Sequence, residues 1–290
     1  MNRYSSPTKT KSSIPHIIWQ TAKSHKTPPR ASRKIINSWY KHNPTWKRQL
    51  LDDDELLNFM NAHFNKTVVE SYLNLPLAVM RADFFRYAVI YFDGGVYADV
   101  DVQLKKSIEK WSDNAIDKCD VIIGLENDEH ICNWGFAGRS KHLLFQKAVE
   151  LSLERFVSQE ISLLDESTVH VVTGPELFTD AVSRLAKEGG CSDLIVSKKD
   201  KNNAKELYDR CRDLLKEKYN VCLYDKQTQE GWFKNHYASQ NFVLQSSDFV
   251  SSWIDHRNDS VFKTTGVNSK EKLTFIQKLG KVFEYIRYQF

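Results

Sequence analysis

The chain has 290 residues, 41 of them Lys or Arg and 37 Asp or Glu, for a formal net charge of +4. That length suits one large domain or two small ones with a substantial core. So mild a charge carries no nucleic-acid signature, and the apolar and charged fractions (41% and 27%) are ordinary for a soluble globular protein.

Residues 1–13 are polar and basic and predict a disordered arm. No apolar run follows them, so neither a signal peptide nor a transmembrane segment is expected in the sequence as written. Ile14–Trp19 predicts a short buried strand, followed by a Thr/Ser/Pro loop through Pro29. Ile35, Ile36 and Trp39 fall at helical spacing, so Ser32–His42 predicts a helix that Asn43-Pro44 breaks. Trp46–Leu51 predicts a second strand. Asp52–Glu55 opens another helix, with carboxylates where the helix dipole favours them. A long helix is expected over Leu77–Phe92, ended by Asp93-Gly94-Gly95, and a strand over Val96–Val102.

Val121–Gly124 is a further apolar strand, and Lys198–Lys218 a charge-dense helical segment expected as an insertion or solvated face. Strands alternating with helices indicate an α/β architecture with a mostly parallel sheet. Over Lys270–Phe290, apolar residues recur at helical spacing with lysines opposite, which predicts an amphipathic C-terminal helix. It packs on the domain or touches a membrane peripherally. The five cysteines are odd in number and form no CxxC pair, so they are expected as reduced thiols in a cytoplasmic setting.

Asp99 and Asp101 flank Val100, and in an extended strand their side chains would leave one face. Two converging carboxylates repel unless a cation lies between them. Hard divalent ions such as Mg2+ or Mn2+ take oxygen ligands and can also bind a substrate's phosphates. With 21 aspartates in the chain, chance supplies roughly one or two such pairs given ordinary acidic content. Asp52 and Asp54 are a rival pair, better explained as a helix start. Context separates the second pair: carboxylates in an apolar strand are costly unless satisfied. Gly94-Gly95 permits close backbone approach just before them. In the preceding helix Asp83 and Arg86 share a face. They are either an internal ion pair or a site in which Arg86 faces phosphate oxygens and Asp83 accepts from sugar hydroxyls.

These residues resemble family 32 of the glycosyltransferases, the DXD-containing group that includes initiation-specific α-1,6-mannosyltransferases and inositolphosphoceramide mannosyltransferases. The likeness runs through IPHIIWQTAK (14–23), WYKHNPTWKRQLLDDDEL (39–56), RADFFRYAVIYFDGGVYADVDV (81–102), ICNWGFAGRSKHLLF (131–145) and VTGPELFTDAV (172–182). The resemblance implies a GT-A fold, a Rossmann-like nucleotide-sugar-binding sandwich, over residues 14–260. It implies a retaining hexosyltransferase that takes mannose, galactose or glucose from a nucleotide-diphosphate sugar (GDP-mannose or a UDP-hexose) to a glycan, glycolipid or protein acceptor.

By the same resemblance Asp99 and Asp101 are the DXD pair, catalytic together with Arg86. Donor contacts fall on Trp19, Arg81, Asp83, Arg86, Tyr97 and Asp99, and on Asn133, Trp134, Gly174, Glu176 and Ser239 further along. Mn2+ or Mg2+ is expected at Asp99, Asp101 and His236. The stretch Asn235–Phe242 keeps His236 and Ser239 but lacks the Trp with which the family commonly closes. Two other activities share these motifs: a toxin-like protein glucosyltransferase using UDP-glucose, and a non-catalytic sugar-binding module.

Overall fold

A computed structural model of the chain describes residues 14–22, 30–75, 77–158, 166–191 and 203–236. The expectations for the arm over 1–13, for Ser239 and for the helix over 261–290 lie outside those residues.

The chain opens with strand β1 (Ile17–Thr21), helix α1 (Arg30–His42) and strand β2 (Lys47–Leu51). Asp52 then caps α2 (Asp53–His63) through a reciprocal box: its side chain accepts from the Glu55 amide at 3.2 Å, and Glu55 accepts from the Asp52 amide at 3.0 Å. After α3 (Lys66–Leu73) comes α4 (Ala78–Phe92), with Met80 and every residue from Asp83 to Tyr91 buried. Helix α4 stops at Gly94 and Gly95, whose φ values of 70° and 110° suit glycine. A Cβ on Gly95 would lie 2.5 Å from Ile17 Cγ2, so this turn also lets β1 and the next strand meet.

Strand β3 (Gly95–Ala98) is followed by β4 (Val102–Leu104), two short 3₁₀ turns, α5 (Ala115–Lys118), β5 (Val121–Gly124) and β6 (Gly135–Gly138). Three helices, α6 (Leu143–Ser158), α7 (Glu166–Val172) and α8 (Pro175–Gly189), precede α9 (Asn203–Tyr219). The last described elements are β7 (Val221–Tyr224), α10 (Lys226–Glu230) and β8 (Phe233–Asn235).

Six strands form one sheet in the order β2-β1-β3-β6-β5-β7, in which only β6 runs against the others. The mostly parallel α/β sandwich is therefore as expected. Alternate residues face opposite layers: Trp19, Tyr97, Phe136 and Ile123 join the core beneath α4, α6 and α8. Ile18, Val96, Ala137 and Ile122 pack with Trp39, Trp111 and Phe233 on the other side. A second, two-stranded antiparallel ladder joins β4 to β8.

Three expectations are corrected. The predicted strand over Val96–Val102 is two strands, β3 and β4, with a turn between them. The charge-dense segment is helical but does more than present a solvated face. Ala204, Leu207, Cys211 and Leu215 of α9 are buried in the main core. The cysteines are not all reduced: Cys119 pairs with Cys222, Cys191 with Cys211, and Cys132 alone is a buried free thiol. Spacing in sequence could not find these pairs, because the fold brings together positions 103 and 20 residues apart.

Candidate active site

The carboxyl end of β3 is where the chain leaves the sheet. The Asp99 amide still donates to Trp134 O at 3.0 Å, in the loop before β6. The Val102 amide then returns to Asp99 O at 3.1 Å. Asp99–Val102 is thus a tight turn, and Val100 at its crest packs with Ala22 and Ile36. The expectation of two carboxylates leaving one face of a strand gives way to two carboxylates on a turn, each in its own surroundings.

Asp99 is held from below. Arg86 Nη2 reaches its two oxygens at 3.0 and 3.2 Å, and the Tyr97 hydroxyl donates to Oδ1 at 2.8 Å. The Tyr97 hydroxyl in turn lies 3.3 Å from that of Thr21. One helical turn before Arg86, Asp83 meets Nη2 at 2.9 Å and accepts from the Thr173 hydroxyl at 3.0 Å. Arg86 Nη1 donates to Asn133 O at 2.8 Å, and its guanidinium sits 5.0 Å from the centre of the Tyr97 ring. Asp83 and Arg86 are 3% and 4% exposed. Arg86 therefore organises the two carboxylates and the Asn133 loop from inside the protein, as in the internal ion-pair alternative. It is not turned out towards phosphate.

Asp101 is the exception. Its Oδ1 is buried and has no hydrogen-bond partner. Burial, and then the charge of Asp99, push its carboxyl up to about 7. Burial likewise raises Asp83 to about 7, with Arg86 pulling back. Two carboxylates thus share one guanidinium with a third beside them, and Asp101 is left with an oxygen that nothing satisfies. A hard divalent cation fits that atom, since it would relieve both the desolvation and the repulsion. Among the described residues no three His, Cys, Asp or Glu groups gather closely enough to hold an ion by themselves. Mg2+ and Mn2+ sites commonly leave positions for substrate phosphates, so a single carboxylate anchor is compatible with such a site.

His236 approaches Asp101 through the β4–β8 ladder, its amide donating to Asp101 O at 3.0 Å. Its Nε2 lies 2.9 Å from Gln103 Oε1. The structure brings Asn133 into the network, its Nδ2 3.5 Å from Asp83 Oδ1 and 3.1 Å from the Tyr87 hydroxyl. Trp134 is beside it. Gly174 O lies 3.4 Å from the Tyr87 hydroxyl, and Glu176 stands in the first turn of α8.

Two expected donor contacts lie apart from the carboxylates. Arg81 Nη1 donates to Leu75 O at 2.8 Å. Trp19 is 6% exposed, with its indole N–H on Gly94 O at 2.8 Å, so its ring is core beneath the sheet. Thr21, Tyr87 and Thr173 complete the network; each lies within a segment that carries the family likeness, but none is among the expected site residues.

Residues 29–117 match the family described as the glycosyltransferase sugar-binding region containing a DXD motif. An initiation-specific α-1,6-mannosyltransferase of Schizosaccharomyces pombe is 28% identical over 191 residues, which are 58% of this chain and 48% of that protein. Inositol phosphoceramide mannosyltransferase 1 of the same yeast is 30% identical over 148 residues, 49% of this chain and 44% of that one. An uncharacterised glycosyltransferase of Acanthamoeba polyphaga mimivirus is 26% identical over 183 residues, 62% and 69% of the two chains. The chain spans about half the length of the yeast relatives. The solved structure of PaToxG glycosyltransferase superposes with a TM-score of 0.50 at 14% identity, covering 73% of this chain and 80% of that one, a likeness of fold. Residues 29–117 are therefore similar to the DXD-containing glycosyltransferase sugar-binding region, in a chain whose α/β fold is like that of a solved glycosyltransferase.

Proposed function

We propose that the chain is a retaining, metal-dependent hexosyltransferase that moves mannose from GDP-mannose to a hydroxyl of a glycan or glycolipid. The observation that carries this reading is the unpaired, buried Asp101 Oδ1 beside the Asp83–Arg86–Asp99 ion-pair network. The choice of mannose draws on the names of the yeast relatives.

Glycosyl transfer builds positive charge on the sugar ring and negative charge on the departing diphosphate. A divalent cation at Asp101 supplies Lewis-acid neutralisation of the second. The protein's own residues deal with the first. Asp99, with its side chain 26% exposed, presents to the sugar the lone pairs that Arg86 and Tyr97 leave free. The carboxylate of Asp99 favours the developing cation of the ring. Arg86 holds Asp83 and Asp99 in fixed positions, so little reorganisation is needed as charge develops. No side chain is assigned as a nucleophile: the acceptor hydroxyl attacks the anomeric carbon from the face the diphosphate leaves, the bond to the diphosphate breaks, and the hydroxyl proton passes to the departing diphosphate oxygen.

The two disulfides suit an oxidising compartment such as the secretory pathway. Denatured without reductant, the natural protein should show a single reactive thiol, that of Cys132; five thiols would place it in a reducing compartment. No described helix is long and apolar enough to cross a membrane.

The activity is tested by incubating the protein with Mn2+ and common nucleotide sugars and measuring the nucleoside diphosphate released. GDP release from GDP-mannose, lost on chelation, is expected. Release from none of them, or metal-independent release, would overturn the reading.

A further inference from the structure

The carboxyl ends of β3 and β5 lie level on either side of β6. Ala98 pairs with Gly135, and the register Val121↔Gly138, Ile122↔Ala137 carries Gly124 to the level of Gly135 from the other side. Two strand spacings, about 10 Å, separate the two ends. Asp99 starts one residue beyond Ala98, and Glu126 stands two beyond Gly124. The start of β6 and the Trp134 loop lie between them, at the edge where open α/β sheets bind ligands.

Glu126 is firmly placed. Its amide donates to His130 O at 3.0 Å, and Leu125 bridges to Ile131 across the turn. The Ile131 amide donates to the Thr179 hydroxyl of α8 at 2.8 Å, which anchors the turn to the main core. The carboxyl has the Trp134 side chain, His170, Arg86 and Lys226 as neighbours, and burial pushes it above its usual range.

Around the same strand end several polar atoms are buried without a partner. Trp134 Nε1 is one. Both amide atoms of Gln229 are others, on a side chain 2% exposed. The Gln229 amide lies against Gly124, where a Cβ would come within 2.5 Å of its Oε1. Each such atom is costly unless a water or a ligand pairs it. A carboxylate, an indole N–H and an amide form an alternating set of acceptors and donors. That set matches neighbouring sugar hydroxyls, each of which donates once and accepts.

We propose that Glu126 and Trp134, with Gln229 behind them, form the subsite that binds the acceptor sugar, across the start of β6 from Asp99 and Asp101. The proposal rests on the transferase reading above. Glu126 accepts from two adjacent hydroxyls of the acceptor ring, and the Trp134 indole N–H donates to the oxygen of one. The ring is thereby turned so that a further hydroxyl faces the donor side.

Ligand-observed saturation-transfer NMR with methyl α-mannoside, α-galactoside and α-glucoside tests this on the whole chain. At least one hexoside should bind the wild type, and Glu126→Ala and Trp134→Phe should each weaken it at least tenfold. Glu126→Gln, which keeps the shape, should weaken it too, whereas Glu129→Ala on the exposed crest of the same turn should not. A thermal melt of each variant guards against misfolding. Binding of no hexoside, or binding that survives Glu126→Gln, would overturn the subsite. GDP-mannose turnover is followed in the same samples. Turnover without Glu126-dependent binding sinks the subsite alone, and binding without turnover sinks the transferase reading alone.

Discussion

The sequence contains two Asp-x-Asp stretches, and the fold treats them in opposite ways. At Asp52–Asp54 the first carboxylate caps α2, and Asp53 and Asp54 are exposed in its first turn. At Asp99–Asp101 the first carboxylate is fixed by Arg86 and Tyr97, and the second is buried with an oxygen that nothing satisfies. The same residue pattern is a helix cap in water and a candidate cation anchor at a sheet edge. What separates them is their surroundings: Asp53 and Asp54 are exposed and hydrated, whereas the buried Oδ1 of Asp101 stands in need of a ligand.

The sharpest way to break the contrast is to remove one carboxylate from each stretch. Asp101→Ala should lower hexosyl transfer by about a thousandfold, in line with loss of a metal anchor or a transition-state electrostatic contact, with the thermal midpoint of the variant unchanged or raised. Near-wild-type turnover would make Asp101 another structural acid. Arg86→Met comes next. It leaves Asp83 and Asp99 buried without their cation and should cost about 3–5 kcal/mol of stability, read from urea denaturation. A loss under about 1 kcal/mol would mean that water already screens the network.

Tyr97→Phe removes one of the donors to Asp99 and should cost about 1 kcal/mol, together with weaker donor binding in calorimetry. On the other stretch, Asp52→Ala should cost about 1 kcal/mol through loss of the cap and leave kcat unchanged. Asp54→Ala should stay within about 0.5 kcal/mol of wild type. If either Asp52 or Asp54 governed transfer, the contrast would fail.

The helical part of this architecture was legible because its signals are local. The apolar spacing through Ile35, Ile36 and Trp39, the Asp52 cap and the Gly94-Gly95 stop each act within one or two turns, and α1, α2 and α4 follow them closely. The carboxylate pair and its helix partner were legible too, through Asp83, Arg86, Tyr97 and the segment around them. The surroundings of those residues were not. Whether Arg86 faces in or out depends on the Asn133 carbonyl and on Thr173 holding Asp83, groups 47 and 90 residues away. The division of Val96–Val102 into two strands depends on β8, whose pairing nothing near the motif announces. The disulfides failed for the same reason, since their partners meet only in the finished fold. Trp19 is the converse case: its position in a family segment suggested a ligand contact, while alternation along β1 turns its ring into the core.

The pairing of β4 with β8 has a consequence for the order in which the protein comes into being. Val102 waits for Asn235, and Asp101 O for the His236 amide, some 130 residues later in translation. A nascent chain that has emerged through β7 already owns every strand of the large sheet. It still lacks the strand that fixes the exit from the motif. From Tyr224 to Asn235 that last interval is of the order of one second at ordinary synthesis rates, so the scaffold is complete just before its reactive corner.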